Sequence, residues 1–341
     1  MIKILTRFLH FPQFILCLSF LLGMSFSLIS MADSAAGRWQ NIGYSVSGLA
    51  KMNPARDGAA YSFLGVIDNK NDDEPRTILI NLDSHFNVIN LTNGKVPVIP
   101  WANDYPSHLS DLESVAAVPN NKTGDQQQFV AATSSGYFWR FTVNNNKQVV
   151  NVVQGDEQLD QEGSNSTAKE IESVGFFINS NSGNIKLVWA GRGSRDHSAY
   201  LFAADFENNS NQVGYNDHNS FQIQETNFNW PRPIWSDDGD SRLISDLKVA
   251  SNPNGAIYVS SAFDGGNNGP FGATLYNPGT FQSASKVTFN SDPYPPLMPL
   301  FIKGKGKKVE ALELLTGQPS DGFILGTDDE NLGGYIMVLA P

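Results

Sequence analysis

The sequence predicts an all-β protein, and three observations carry that prediction. Apolar residues recur in short runs rich in β-branched and aromatic side chains, such as "YSFLGVIDN" (61–69) and "RTILINL" (76–82). Clusters of Gly, Asn, Asp and Ser bound those runs, as expected where strands alternate with turns. No stretch longer than about ten residues carries a convincing helical period.

The chain opens on a segment outside this pattern. Lys3 and Arg7 precede an apolar run from Phe11 to Met31, and small residues follow Ala32. A basic start, an apolar middle and a small-residue cut site read as a secretory signal over residues 1–32. The run is also long enough to serve as an uncleaved anchor. The remaining chain, 33–341, is expected to form one secreted or periplasmic domain. Its partners would include neither nucleic acid nor, once the signal is cleaved, membrane, and it would be a monomer. The only cysteine, Cys17, lies in the signal, which leaves the domain without disulfides, thiolate metal sites or a cysteine nucleophile. A net charge of −11 argues against nucleic acid, which rewards clustered Lys and Arg.

The strand runs fall into repeats. Five segments share a Ser or Glu ahead of a small residue and then Leu or Val: Ser47-Gly-Leu, Glu113-Ser-Val, Glu172-Ser-Val, Ser245-Asp-Leu and Glu310-Ala-Leu. The successive intervals are 66, 59, 73 and 65 residues. A second run follows each: 61–69, 127–136, 185–193, 256–265 and 322–330. A third run follows at 76–82, 137–143, 199–206, 272–277 and 333–340. Fourth runs are visible in four repeats ("NVINLT", "QVVNVV", "SFQIQET", "KVTFN") and absent from the last. A four-stranded unit repeated radially is the pattern of a β-propeller. Five repeats predict five blades, and "RWQNIGYS" (38–45) supplies the strand that the last blade lacks. The ring is therefore expected to close through an N-terminal strand.

In a propeller the first strand of each blade lines the central channel. Small residues after the marked position suit strands crowding that axis. Ser47, Glu113, Glu172, Ser245 and Glu310 would then form one ring. Carboxylates converging in a narrow channel repel one another, and burial adds to the cost of each charge. Bound calcium would relieve both, since it takes carboxylate and hydroxyl oxygens, whereas zinc or copper would want His or Cys. The alternatives are a channel whose polar residues only contact trapped water, or a different ligand.

The order Ser, Glu, Glu, Ser, Glu, one per blade, resembles the calcium ring of the calcium-activated nucleotidase (soluble apyrase) family. "ISDLKVASNPNGAIYVSS" (244–261) and "KVEALELL" (308–315) carry the similarity most closely, and "SGLA" and "GTDDENLGGY" resemble phytase-like and esterase-like propellers more loosely. The resemblance implies calcium-dependent phosphoester or phosphoanhydride hydrolysis. In that family an Asp-Asp-Arg-Thr-Gly loop serves the phosphate. Here the place reads Asp68-Asn-Lys70-Asn-Asp, so Asp68 matches the first aspartate and Lys70 stands in for arginine, without its bidentate fork.

Further candidates lie in the connections between second and third strands. Arg192 and Arg195 can clamp a phosphate or carboxylate, and His197 can act as acid or base. The bland reading is exposed ion pairs that contribute little. Trp101, Trp230 and Trp235 beside Asp237 to Asp240 suit either a sugar platform or loop packing. Lys303 to Lys308 reads as a solvated turn, the alternative being a phosphate-attracting rim. No Gly-x-Ser-x-Gly, His-Glu-x-x-His or phosphate loop is present. Two functions remain: a calcium-dependent phosphohydrolase, or a non-catalytic propeller that binds a glycan or protein around a structural calcium.

Overall fold

The computed structural model describes residues 35–340 other than 72, 103–105, 107, 124–125, 160–169, 180–181, 195–197, 210–211, 224–239, 251–254, 284, 291–297 and 300–306. The expected signal and its anchor alternative lie outside them, as do Arg195, His197, Trp230 and Trp235. Among the described residues no helix is long and apolar enough to cross a membrane.

Strand β1 (Gln40–Asn41) precedes the first blade, which is β2 (Gly48–Lys51), β3 (Tyr61–Val66), β4 (Thr77–Leu82) and β5 (Val88–Ile89). The second blade is β6 (Leu112–Thr123), β7 (Gln126–Thr133), β8 (Phe138–Val143) and β9 (Val149–Gln154). The third is β10 (Ile171–Ile178), β11 (Ile185–Gly191), β12 (Ala199–Asn208) and β13 (Val213–Ile223). The fourth is β14 (Asp240–Val249), β15 (Ala256–Asp264), β16 (Phe271–Ser283) and β17 (Lys286–Phe289), with β18 (Met298–Pro299) added against β16. The last is β19 (Val309–Leu314), β20 (Phe323–Thr327) and β21 (Tyr335–Leu339). Every pairing within a blade is antiparallel, and all are sequential except β18 with β16 and the closing pair of the last blade.

Strand β1 completes the last blade by pairing antiparallel with β21, Gln40 opposite Ile336 and Asn41 opposite Tyr335. The Gln40 side chain then bridges to the first blade, donating to Phe86 O at 2.8 Å and accepting from Val88 N at 2.9 Å. The expected closure therefore holds, with a regular strand shorter than 38–45.

The core is divided rather than central. Five apolar clusters lie between neighbouring blades, as between the second and third, where Val130, Phe138 and Ala132 meet Val174, Trp189 and Phe202. Each large side chain fully buried there contributes about 1.5–3 kcal/mol. At the axis, small residues permit close approach. A Cβ on Gly48 would meet the Cα of Ser114 at 2.7 Å. Side chains stitch the innermost strands together: the Ser114 hydroxyl accepts from Val174 N (2.9 Å), and Asp246 accepts from Ser173 Oγ (2.8 Å) and Leu312 N (2.8 Å).

Candidate functional site

Three of the innermost strands carry a β-bulge at the same place. In β6 Leu112 pairs with Thr133 and Ser114 with Ala132, which leaves Glu113 as the extra residue. In β10 Ile171 pairs with Gly191 and Ser173 with Ala190, leaving Glu172. In β19 Val309 pairs with Thr327 and Ala311 with Gly326, leaving Glu310. A bulge frees one residue from the strict alternation of a strand and re-aims its side chain. The sequence thus repeats a backbone device as well as a residue type. Ser245 lies within the wider irregularity of β14 between Arg242 and Asp246, and Ser47 directly precedes β2.

The fourth blade answers the carboxylates with a cation. Arg242 forms an ion pair with Glu310, lies 3.4 Å from Glu172 and reaches Asp264 at 3.8 Å. Lys308, buried, lies 3.5 Å from Glu310, 3.5 Å from Asp328 and 3.3 Å from Asp264. Arg192 pairs with Glu170 and comes within 3.7 Å of Glu172. Burial pushes Glu172 and Glu310 upward from the usual carboxylate range, while Arg242, with Arg192 and Lys308 respectively, pulls each back. Burial works against the charge of Arg242, yet Glu310, Glu172 and Glu113 outweigh it and raise its pKa well above the ordinary value.

A different balance holds on the side of the first two blades. Carboxylate oxygens of Asp68, Asp111 and Glu113 lie within 4.8 Å of one another. Burial, followed by the hydrogen bond to Asp111 and its negative charge, pushes Asp68 up to about 9. Burial presses Asp111 the same way, but hydrogen bonds from Asp68 and Ser134 and the charge of Lys70 hold it below the ordinary value. One proton is thus shared, resting on Asp68. Glu113 is raised well above its usual range by burial, then by Glu172, Asp68 and Glu310. The nearby cation, exposed Lys70, stands 3.3 Å from Asp111 and 3.9 Å from Asp68.

The structure therefore brings Glu113, Glu172, Glu310, Asp68, Lys70 and Arg192 together at one channel mouth. The hydroxyls of Ser47 and Ser245 are buried without a hydrogen-bond partner among the described residues, which leaves both able to take a ligand. The full ring nevertheless fits calcium poorly with Arg242 in place, because that guanidinium already supplies the charge that Glu172 and Glu310 need. Trp101 packs its ring 5.3 Å from that of Phe141, the loop-packing reading of its role.

Arg242, Lys308, Asp111 and Glu170 are functional neighbours that sequence reasoning passed over. Lys308 corrects one expectation directly: with Lys307, which bonds Asp329 at 2.7 Å, the end of the lysine stretch is folded into the mouth and is not a solvated turn. A signal was available. Asp111, Glu170 and Lys308 each stand two residues before a ring glutamate, a charged residue repeated at one offset. Ser45, two before Ser47, likewise bonds Asp328.

No known family matches this sequence, and no curated protein is similar to it. Among solved structures, an endo-1,4-beta-xylanase from Bacteroides thetaiotaomicron VPI-5482 aligns at 9% identity and TM-score 0.47, covering 86% of this chain and 90% of that one. A thermostable family-43 glycoside hydrolase aligns at 8% identity and TM-score 0.47, covering 89% and 92%. At such values neither decides what this chain acts on.

Proposed function

We propose that the channel mouth is a hydrolytic site that works by carboxylate acid–base chemistry on a neutral, glycan-type substrate. The observation that carries this reading is a carboxyl pair pushed in opposite directions, Asp68 raised and Asp111 lowered, sharing a mouth with Glu172 and Glu310, whose charged forms Arg242 favours against burial. Carboxyl groups pushed into opposite protonation states are the signature of divided acid and base roles. Cleavage of a glycosidic bond needs both: a proton for the departing oxygen, and a carboxylate that assists water or attacks the sugar carbon. Asp68 would give the proton, Asp111 would hold it in place, and Glu172 or Glu310 would serve as the carboxylate. The signal-like leader in the sequence supports a role for this activity outside the cytoplasm.

Calcium-dependent phosphoester hydrolysis, implied by the nucleotidase resemblance, finds less support. Among the described residues, four cations at the mouth are each held by at least two carboxylates: Lys70 by Asp68 and Asp111, Arg192 by Glu170 and Glu172, and Arg242 and Lys308 by the acids named above. A polyanionic substrate would meet more repulsion than welcome. The unpartnered hydroxyls of Ser47 and Ser245 are what favour a metal. In that reading these residues and Glu113 would hold the ion, which would supply electrostatic stabilisation.

One experiment separates the readings. Residues 33–341 are assayed against aryl glycosides and neutral oligosaccharides, and in parallel against nucleotides and phytate, with calcium and with chelator. Release of sugar that survives chelation and falls at least a hundredfold in Asp68→Asn supports the carboxylate reading. Calcium-dependent phosphate release sinks it, and oligosaccharide binding without turnover leaves a glycan-binding propeller.

A further inference from the structure

The opposite end of the channel holds a second cavity, of about 450 Å³. It lies on the propeller axis, because its walls come from the far ends of all five innermost strands: Lys51 of β2, Val118 of β6, Ile178 of β10, Val249 of β14 and Leu314 of β19. Ile178 is six residues beyond Glu172, which at about 3.3 Å per residue puts this end roughly 20 Å from the carboxylate mouth. The volume falls in the range of about 300–1,000 Å³ typical of small-molecule pockets.

The lining is divided about evenly between polar and apolar surface, with Asn53, Gln127, Glu313 and Thr316 among its polar residues. Phe176, Ile178, Val249 and Leu314 form greasy walls, and Lys51 stands among them. Its ammonium makes no ion pair among the described residues. Burial lowers the pKa of Lys51, and the charges of Glu313 and Asp321 offset this only in part. Glu313 is turned to the backbone, accepting from Leu314 N at 2.7 Å and from Lys51 N at 3.3 Å. A half-buried cation in no direct ion pair, its burial only partly offset by the charges of Glu313 and Asp321, gains from an anion that reaches it. The apolar walls gain from a ligand that replaces water beside them.

We propose that this cavity binds a small monocarboxylate with an apolar body, its carboxylate on Lys51 and its body against Phe176, Ile178 and Val249. The site is separate from the carboxylate mouth and does not depend on the function assigned there.

The test is calorimetric titration and thermal shift on residues 33–341 with benzoate and hexanoate, with benzylamine and benzyl alcohol as controls. Both carboxylates should bind and raise the melting temperature, and the amine and alcohol should bind at least tenfold more weakly. Lys51→Met should weaken benzoate binding at least tenfold, and Lys51→Arg should retain it. If Lys51→Met does not fold, Ile178→Trp, which fills the cavity from a strand end, should block binding instead. No carboxylate binding by the wild type, equal binding of the amine or alcohol, or unchanged binding in Lys51→Met or Ile178→Trp would each overturn the assignment.

Discussion

Replacing Arg242 by Met keeps the length of the side chain and removes its charge from between Glu310, Glu172 and Asp264. Breaking a buried ion pair from one side typically costs about 3–5 kcal/mol, since the surviving charge keeps its desolvation penalty without compensation. Here two buried glutamates lose their shared partner, although Lys308 and Arg192 remain beside one each, so the loss should be about 3–4 kcal/mol. At roughly 2 °C per kcal/mol for a domain of this size, the melting temperature should fall by about 6–8 °C. The sign of the pH dependence is fixed. Arg242 lowers the pKa of both glutamates, so without it their folded values rise further above the unfolded ones. A carboxyl raised on folding stabilises the fold below its unfolded pKa and loses that contribution as pH rises through its folded one. The deficit of the variant should therefore be smaller near pH 6 and grow toward pH 9, because Glu310, raised to about 8 with Arg242 present, ionises across that range in the wild type and holds its proton longer in the variant. Urea denaturation at both values measures it. Millimolar calcium should raise the melting temperature of the variant more than that of the wild type, because the ring then lacks its own cation. A loss below 1 kcal/mol at pH 9, or one independent of pH, would refute the view of Arg242 as the counter-ion of the ring.

Three other outcomes follow from the same physics. Asp68, raised to about 9 from an ordinary 3.8, stabilises the fold fully below about pH 4 and loses that contribution as pH climbs to 9. Asp68→Asn should flatten the alkaline limb of the stability–pH curve by roughly 2 kcal/mol, discounted for solvent at a partly exposed group, and an unchanged limb in urea titrations would count against the shared proton. Asp246→Ala removes the acceptor for Leu312 N, Leu247 N and Ser173 Oγ and strands Lys248, so chemical denaturation should show a loss of about 3–5 kcal/mol, with Asp246→Asn closer to wild type. Gly48→Val forces a side chain onto the backbone of Ser114, and differential scanning calorimetry should register a destabilisation of about 1–3 kcal/mol or more.

The repeat and the ring glutamates were legible because both rest on local pattern: alternation, turn residues, and a carboxylate in register with small neighbours. The closing strand was legible from a missing run. Arg242 was not, since it stands three residues before Ser245, out of phase with the ring. Only the irregular pairing of β14 between Arg242 and Asp246 brings it to the channel, and one sequence does not announce a bulge. Lys308 was misread because a run of lysines and glycines looks solvated when its partners, Asp264 and Asp328, come from other strands. The charge balance at the mouth, and with it the choice between a metal and a guanidinium, depends on such pairings between blades.

The closing strand also sets the order in which the molecule can be finished. Four blades are each assembled from consecutive segments, so their contacts are local and can form as soon as the residues are present. The last sheet cannot be completed that way: Gln40 and Asn41 must find β21 across nearly the whole length of the chain. Contacts so distant in sequence are slow to form. Until this one forms, the outer edge of β21 stays unpaired, open to any strand that meets it, including one from another copy. The most aggregation-prone moment in the life of this protein is therefore the last one before closure. A change that weakens Gln40, with its bridge to Phe86 and Val88, should reveal itself in the yield of refolding before it does in the stability of what has already folded.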